Sequence, residues 1–168
     1  MQIDRRTVLI GAASLAATGT AASAAPRTVE APTTPATGEA PMTLPAERVL
    51  GIGGLFFRSR DPKKLAQWYQ AHLGIDPVPT SYGGTVWQQA AGPTVFSPFP
   101  ADTDYFGAPT QAWLVNFRVR SLDAIVAQLQ KAGIAVKVDP EKYPNGRFAR
   151  LHDPEGNPIE LWEPAAHA

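Results

Sequence analysis

The chain states part of its plan twice. Phe57, Arg58 and Arg60 recur sixty positions later as Phe117, Arg118 and Arg120, and Gly74-Ile75 recurs after fifty-nine as Gly133-Ile134. The order of patterns around the two copies is also the same. An apolar segment (49–59, then 112–119) precedes a helical period: Leu65, Trp68, Tyr69, His72 and Leu73 after Asp61-Pro62, then Leu122, Ile125, Val126 and Leu129 within 121–132. Gly74 and Gly133 end these helices. Short extended segments follow at 75–78, 85–89 and 94–99, and again at 134–138, 148–152 and 158–162. Each half therefore reads βαβββ. Duplicated units of this kind place both helices on one side of a sheet and leave its other side as a cup.

The strongest local signal lies in the second copy. In Asp153-Pro154-Glu155-Gly156-Asn157 the proline presets φ, the glycine accepts positive φ, and Asp153 or Asn157 bonds nearby backbone, so two strands meet there. Residues 147–152 run in and 158–163 run out. Alternation on the outgoing strand separates Ile159 and Leu161 from Glu160 and Trp162. If the first pair packs under a helix, Glu160 points to the cup, the first place to look for chemistry.

Outside the duplicated part, Asp4-Arg5-Arg6 precedes a mildly apolar Ala/Gly/Thr stretch and Ala22-Ser23-Ala24. That pattern predicts an export signal at 1–24, of the twin-arginine type or an ordinary secretory type carrying two arginines. Residues 25–47, rich in Ala, Pro and Thr, have almost nothing to bury and are expected to form a disordered linker. The domain then spans 48–165, with modules at 48–107 and 111–165, and a periplasmic or secreted location follows.

Fifteen Lys and Arg balance fifteen Asp and Glu, so no overall field favours nucleic acid. No apolar run reaches the roughly 20 residues of a membrane span, so no membrane association is expected after cleavage. The absence of cysteine removes disulfides, thiolate metal sites and a cysteine nucleophile together.

The segments GIGGLFFRSRDPKKLAQWYQAHLGI and RLHDPEGNPIELWEP resemble the vicinal oxygen chelate superfamily of glyoxalases, bleomycin-resistance proteins and extradiol dioxygenases. That resemblance implies an α+β fold in which paired βαβββ modules form an eight-stranded cupped sheet, helices on its outer face. In the enzymes a divalent metal sits at the cup's base. The four family ligand positions fall here at Gly54, Phe96, Leu114 and Glu160, of which only Glu160 binds metal; Gln88 is the nearest further donor. One carboxylate does not make a transition-metal site, so no metal and no cofactor is expected.

The expected function is small-molecule binding in the cup. Glu160 is the candidate catalytic group, as base or polar anchor, and His152, bordering the hairpin opposite it, is its candidate acid-base partner. Candidate ligand-binding residues are Phe57, Trp87, Gln88, Phe96, Trp113, Asn116 and Trp162. Arg58, Arg118, Arg147 and Arg150 either meet an anionic ligand or pair with acidic neighbours. The loop from Asp102 to Gly107 is a candidate lid. Two alternatives stay open: a metal-dependent lyase, isomerase or dioxygenase, and an interaction module whose cup is filled by its own side chains. The same pattern suits a monomer or a homodimer.

Overall fold

The structure is a computed structural model and describes residues 46–165. The export signal and most of the linker expected from the sequence lie outside the described residues. The chain divides into two units between Gly54 and Leu55. Residues 46–54 carry no helix or strand.

In the second unit the elements are α1 (Pro62–Leu73), β1 (Val115–Arg118), α2 (Leu122–Lys131), β2 (Lys137–Val138), β3 (Gly146–His152) and β4 (Pro158–Pro164). Local chemistry sets the helix limits. Asp61 caps α1 by accepting from the Lys64 amide, Pro62 occupies the first turn where its missing N–H costs nothing, and Gly74 closes the helix in the left-handed conformation at φ 69°. Ser121 caps α2 in the same way through the Ala124 amide. The sheet has the order β1-β4-β3-β2, with β1 parallel to β4 and the other two pairs antiparallel. β1, α2 and β2 to β4 reproduce the βαβββ order expected for the second module.

The first module differs from expectation. α1 is present, but the strands expected within 49–59, 75–78, 85–89 and 94–99 are not among the strands of the described residues. Pro77, Pro79, Gly83-Gly84, Gly92-Pro93 and Pro98 interrupt these segments, removing amide donors and side-chain surface from any ladder. Val78, Val86 and Phe96 are correspondingly exposed.

The core lies between the helices and one face of the sheet. Leu65 and Tyr69 of α1 and Leu122, Val126 and Leu129 of α2 cluster with Ala149, Leu151, Ile159 and Leu161 of the hairpin. Leu122, Leu129, Ile159 and Leu161 are wholly buried, each contributing roughly 1.5–3 kcal/mol by its removal from water.

The hairpin turn ties this second module to α1. Asp153, only 5% exposed, accepts from the Glu155 and Asn157 amides through Oδ1 and from the Tyr69 hydroxyl (3.0 Å) and the Asn157 side chain through Oδ2. Burial first, then the Asp153 charge and hydrogen bond, pushes the Tyr69 phenol well above its ordinary value. Two residues on, the Glu155 carboxylate accepts from the Arg60 and Asp61 amides and the Ser59 hydroxyl at the entrance to α1.

Those backbone donors hold the Glu155 carboxyl below its ordinary 4.5. A depressed folded value adds stability above the ordinary value, and the contribution fades as pH falls below it through the folded one. Glu155→Gln is therefore expected to lower the melting temperature at neutral pH and to flatten its decline on acidification. Melting curves between about pH 7 and about pH 3 check this; parallel declines for both proteins would refute it.

Candidate functional site

Because the turn takes up Asp153 to Asn157, the residues facing one another across β3 and β4 are fixed: His152 lies opposite Pro158, Leu151 opposite Ile159, Arg150 opposite Glu160, and Phe148 opposite Trp162. Ile159 and Leu161 point into the helix-side core, so Glu160 and Trp162 take the opposite face, with Arg150 and Phe148 beside them. On the other flank the parallel register sets Asn116 of β1 beside Glu160.

Glu160 is 3% exposed and three side chains converge on it. Asn116 Nδ2 donates at 2.9 Å, Arg150 Nε at 3.2 Å, and the Tyr105 hydroxyl donates to both carboxylate oxygens, the nearer at 2.9 Å. Tyr105 arrives from the loop joining the two halves, where Thr103 Oγ1 accepts from its amide. Its carbonyl accepts from Arg150 Nη1 at 2.6 Å, and the guanidinium carbon lies 4.1 Å from its ring centroid. Phe99 stacks with the same ring and Phe106 adjoins both. The candidate lid is thus bolted to the buried carboxylate through Tyr105. A carboxylate so engaged is a structural acceptor and counter-ion, and the donors around it are what the site offers to a ligand.

The other candidates are placed as follows. His152 stands at the exposed end of β3, and Arg150, not His152, faces Glu160, since the turn length sets the register. Trp162 lies on the Glu160 face, buried and stacked on Phe148, with Nε1 donating to the Asn145 carbonyl. Trp87 meets Phe117, a residue packed on the helix-side core. Phe57 and Trp113 contact each other at 5.0 Å between centroids. Gln88 is exposed and donates to the Val86 carbonyl, while Phe96 is 89% exposed. Asn116, and not Leu114, is the β1 residue in register with Glu160.

Two of the four arginines singled out from the sequence have structural partners elsewhere. Arg118 donates to the Ala90 and Ala91 carbonyls, and Arg147 grips Asp123 with two bonds, holding that carboxyl below its usual range and joining β3 to the first turn of α2. Tyr105 and Arg150 are the residues that site reasoning from the sequence underrated. Counting outward from the turn would have found Arg150; nothing local announces Tyr105, fifty-five positions before Glu160.

The model of the family described as "Glyoxalase-like domain" matches residues 54–162. The chain belongs to the glyoxalase-like domain family. This glyoxalase-like chain is also similar to the anthracycline biosynthesis protein DnrV of Streptomyces peucetius, 34% identical over 107 residues covering 59% of this chain and 38% of that protein. It therefore spans well under half of that relative's length. Among solved structures it is similar to TnmS3, an antibiotic binding protein from Streptomyces sp. CB03234 (30% identity, TM-score 0.40, 62% of this chain and 88% of that one). A glyoxylase/bleomycin resistance protein/dioxygenase domain from Frankia sp. EAN1pec is another (20% identity, TM-score 0.45, 70% and 100%).

The metal of the superfamily's enzymes does not fit the donor set of this glyoxalase-like site. Among the described residues no three His, Cys, Asp or Glu side chains come together. The carboxylate in the ligand position is held by Tyr105, Asn116 and Arg150, and a guanidinium 3.2 Å away repels a second cation.

Proposed function

We propose that this is an exported glyoxalase-like protein that binds a small molecule on the Glu160 face of its sheet without the family's metal. The observation that carries this reading is the buried Glu160 with Tyr105, Asn116 and Arg150 gathered on it, on the face away from the helices. A polar cluster kept out of the core, beside the Phe148–Trp162 pair and the Phe99, Tyr105 and Phe106 rings, offers oriented hydrogen bonds within apolar walls, the usual makeup of a ligand site. Closure of the first module's segments over this face would complete the eight-stranded cup. Family membership and the DnrV similarity are compatible with such a role.

Export by the signal at 1–24, with periplasmic or secreted location, belongs to the same proposal, as does a tether at 25–47. The test is a thermal-shift and native mass screen of small aromatic and oxygenated molecules, with Zn, Ni, Mn and Fe salts in parallel. Stabilisation by a molecule that no longer stabilises Glu160→Ala is the expected result. Silence from every molecule at millimolar concentration would refute binding, and stoichiometric metal lost on Glu160→Gln would favour the metal-dependent alternative.

A further inference from the structure

Arg150 carries more donors than its partners use. Nε bonds Glu160 and Nη1 bonds the Tyr105 carbonyl, whereas Nη2 is buried with no hydrogen-bond partner among the described residues. A guanidinium N–H withdrawn from water without an acceptor is costly. Here the two neighbours that could be drawn away to serve it are already committed. The Tyr105 carbonyl is engaged by Nη1, and the Glu160 oxygens are engaged by Tyr105, Asn116 and Nε. The guanidinium plane is in turn fixed by the Tyr105 ring beneath it, so Nη2 has a set direction.

We infer that Arg150 Nη2 is the oxygen-binding donor of this site, and that it takes a neutral carbonyl oxygen carried on a flat aromatic ligand; the inference rests on the small-molecule reading above. Charge selects the oxygen. The guanidinium is already neutralised by Glu160 at 3.2 Å, so a ligand carboxylate entering beside Nη2 would meet the Glu160 carboxylate nearly as closely as the arginine. A carbonyl satisfies the donor without adding charge. Shape selects the ring. Phe148 and Trp162 form a stacked pair one position along the strands on the same face, and Phe99 and Tyr105 form a second stacked pair on the loop. In the superfamily's enzymes a metal ion meets substrate oxygens; here the guanidinium supplies the positive end.

Three naphthalenes of nearly equal size test this: acetylnaphthalene, ethylnaphthalene and naphthoate, titrated into the full chain by calorimetry or fluorescence. The expected order is acetyl tightest, with about a tenfold preference over ethyl, the size of one good hydrogen bond. Its carbonyl stretch should move to lower frequency on binding. Arg150→Met should erase the preference and the infrared shift while ethylnaphthalene binds as before. The wild-type comparison decides the matter even if that variant fails to fold. Equal affinity for the acetyl and ethyl compounds, with no infrared shift, would mean that water serves Nη2 and would overturn the inference while leaving small-molecule binding intact. Tighter binding of naphthoate would overturn it in favour of an anion site. No binding by any of the three would sink this inference and remove the main support of the broader reading with it.

Discussion

Asp153→Ala is expected to destabilise the folded chain by about 3–5 kcal/mol, the largest effect of any single change outside the apolar core. The carboxylate binds two backbone amides of its own turn, the Asn157 side chain and the Tyr69 hydroxyl of α1, and is 5% exposed. Alanine leaves these donors without their acceptor in a place water does not readily reach, at about 1–3 kcal/mol for each group left unpaired. Asp153→Asn keeps one carbonyl oxygen and should cost roughly half as much. Urea unfolding gives the comparison directly, through a lower midpoint at unchanged slope. A second readout is independent of stability. With the Asp153 charge and hydrogen bond gone, the Tyr69 phenol should titrate closer to its ordinary 10 in the asparagine variant, yet still above it, because burial, the largest cause of its rise, remains. Unchanged stability and an unchanged Tyr69 titration would show that the turn does not clasp α1 in this way.

Glu160→Leu is expected to cost about 2–4 kcal/mol, the lower part of the range for breaking a buried ion pair, because the Arg150 side chain keeps 30% of its exposure. The leucine strands a guanidinium, an amide and a phenol that had been gathered on one acceptor. Removing the arginine as well should recover part of the loss: Glu160→Leu with Arg150→Met is expected to be more stable than Glu160→Leu alone, since an apolar pair of similar volume replaces a desolvated ionic one. A double-mutant cycle by chemical denaturation measures this coupling. Additive single effects would mean that the two charges do not act as a unit. The double variant should in any event fail to retain the carbonyl preference described above.

Much of the second module was legible before any coordinate. The limits of α1 and α2 followed from Asp61-Pro62, Gly74, Ser121 and Gly133, and the hairpin followed from Asp153 to Asn157, because caps and turns are decided within a few residues by backbone sterics and short-range hydrogen bonds. The outward direction of Glu160 followed from strand alternation once Ile159 and Leu161 were assigned to the core. The pairing of His152 with Glu160 was a miscount of the register, and the turn itself contained the correction. The strands of the first half were a different kind of difference. Their apolar alternation was read as pairing, but alternation only makes a segment able to pair; a strand also needs a neighbour, and prolines and glycines at 77, 79, 83, 84, 92, 93 and 98 weaken the ladder.

By itself, the sequence determined where the chain turns, where each helix starts and stops, and which residues of the last hairpin share a face, all consequences of forces that act across a handful of bonds. Only the tertiary structure decided what surrounds Glu160. Tyr105 reaches it from fifty-five positions away and Asn116 from forty-four, and Arg150 becomes its counter-ion because two strands align. Desolvation and charge pairing depend on distance through space, which the order of residues along the chain does not specify.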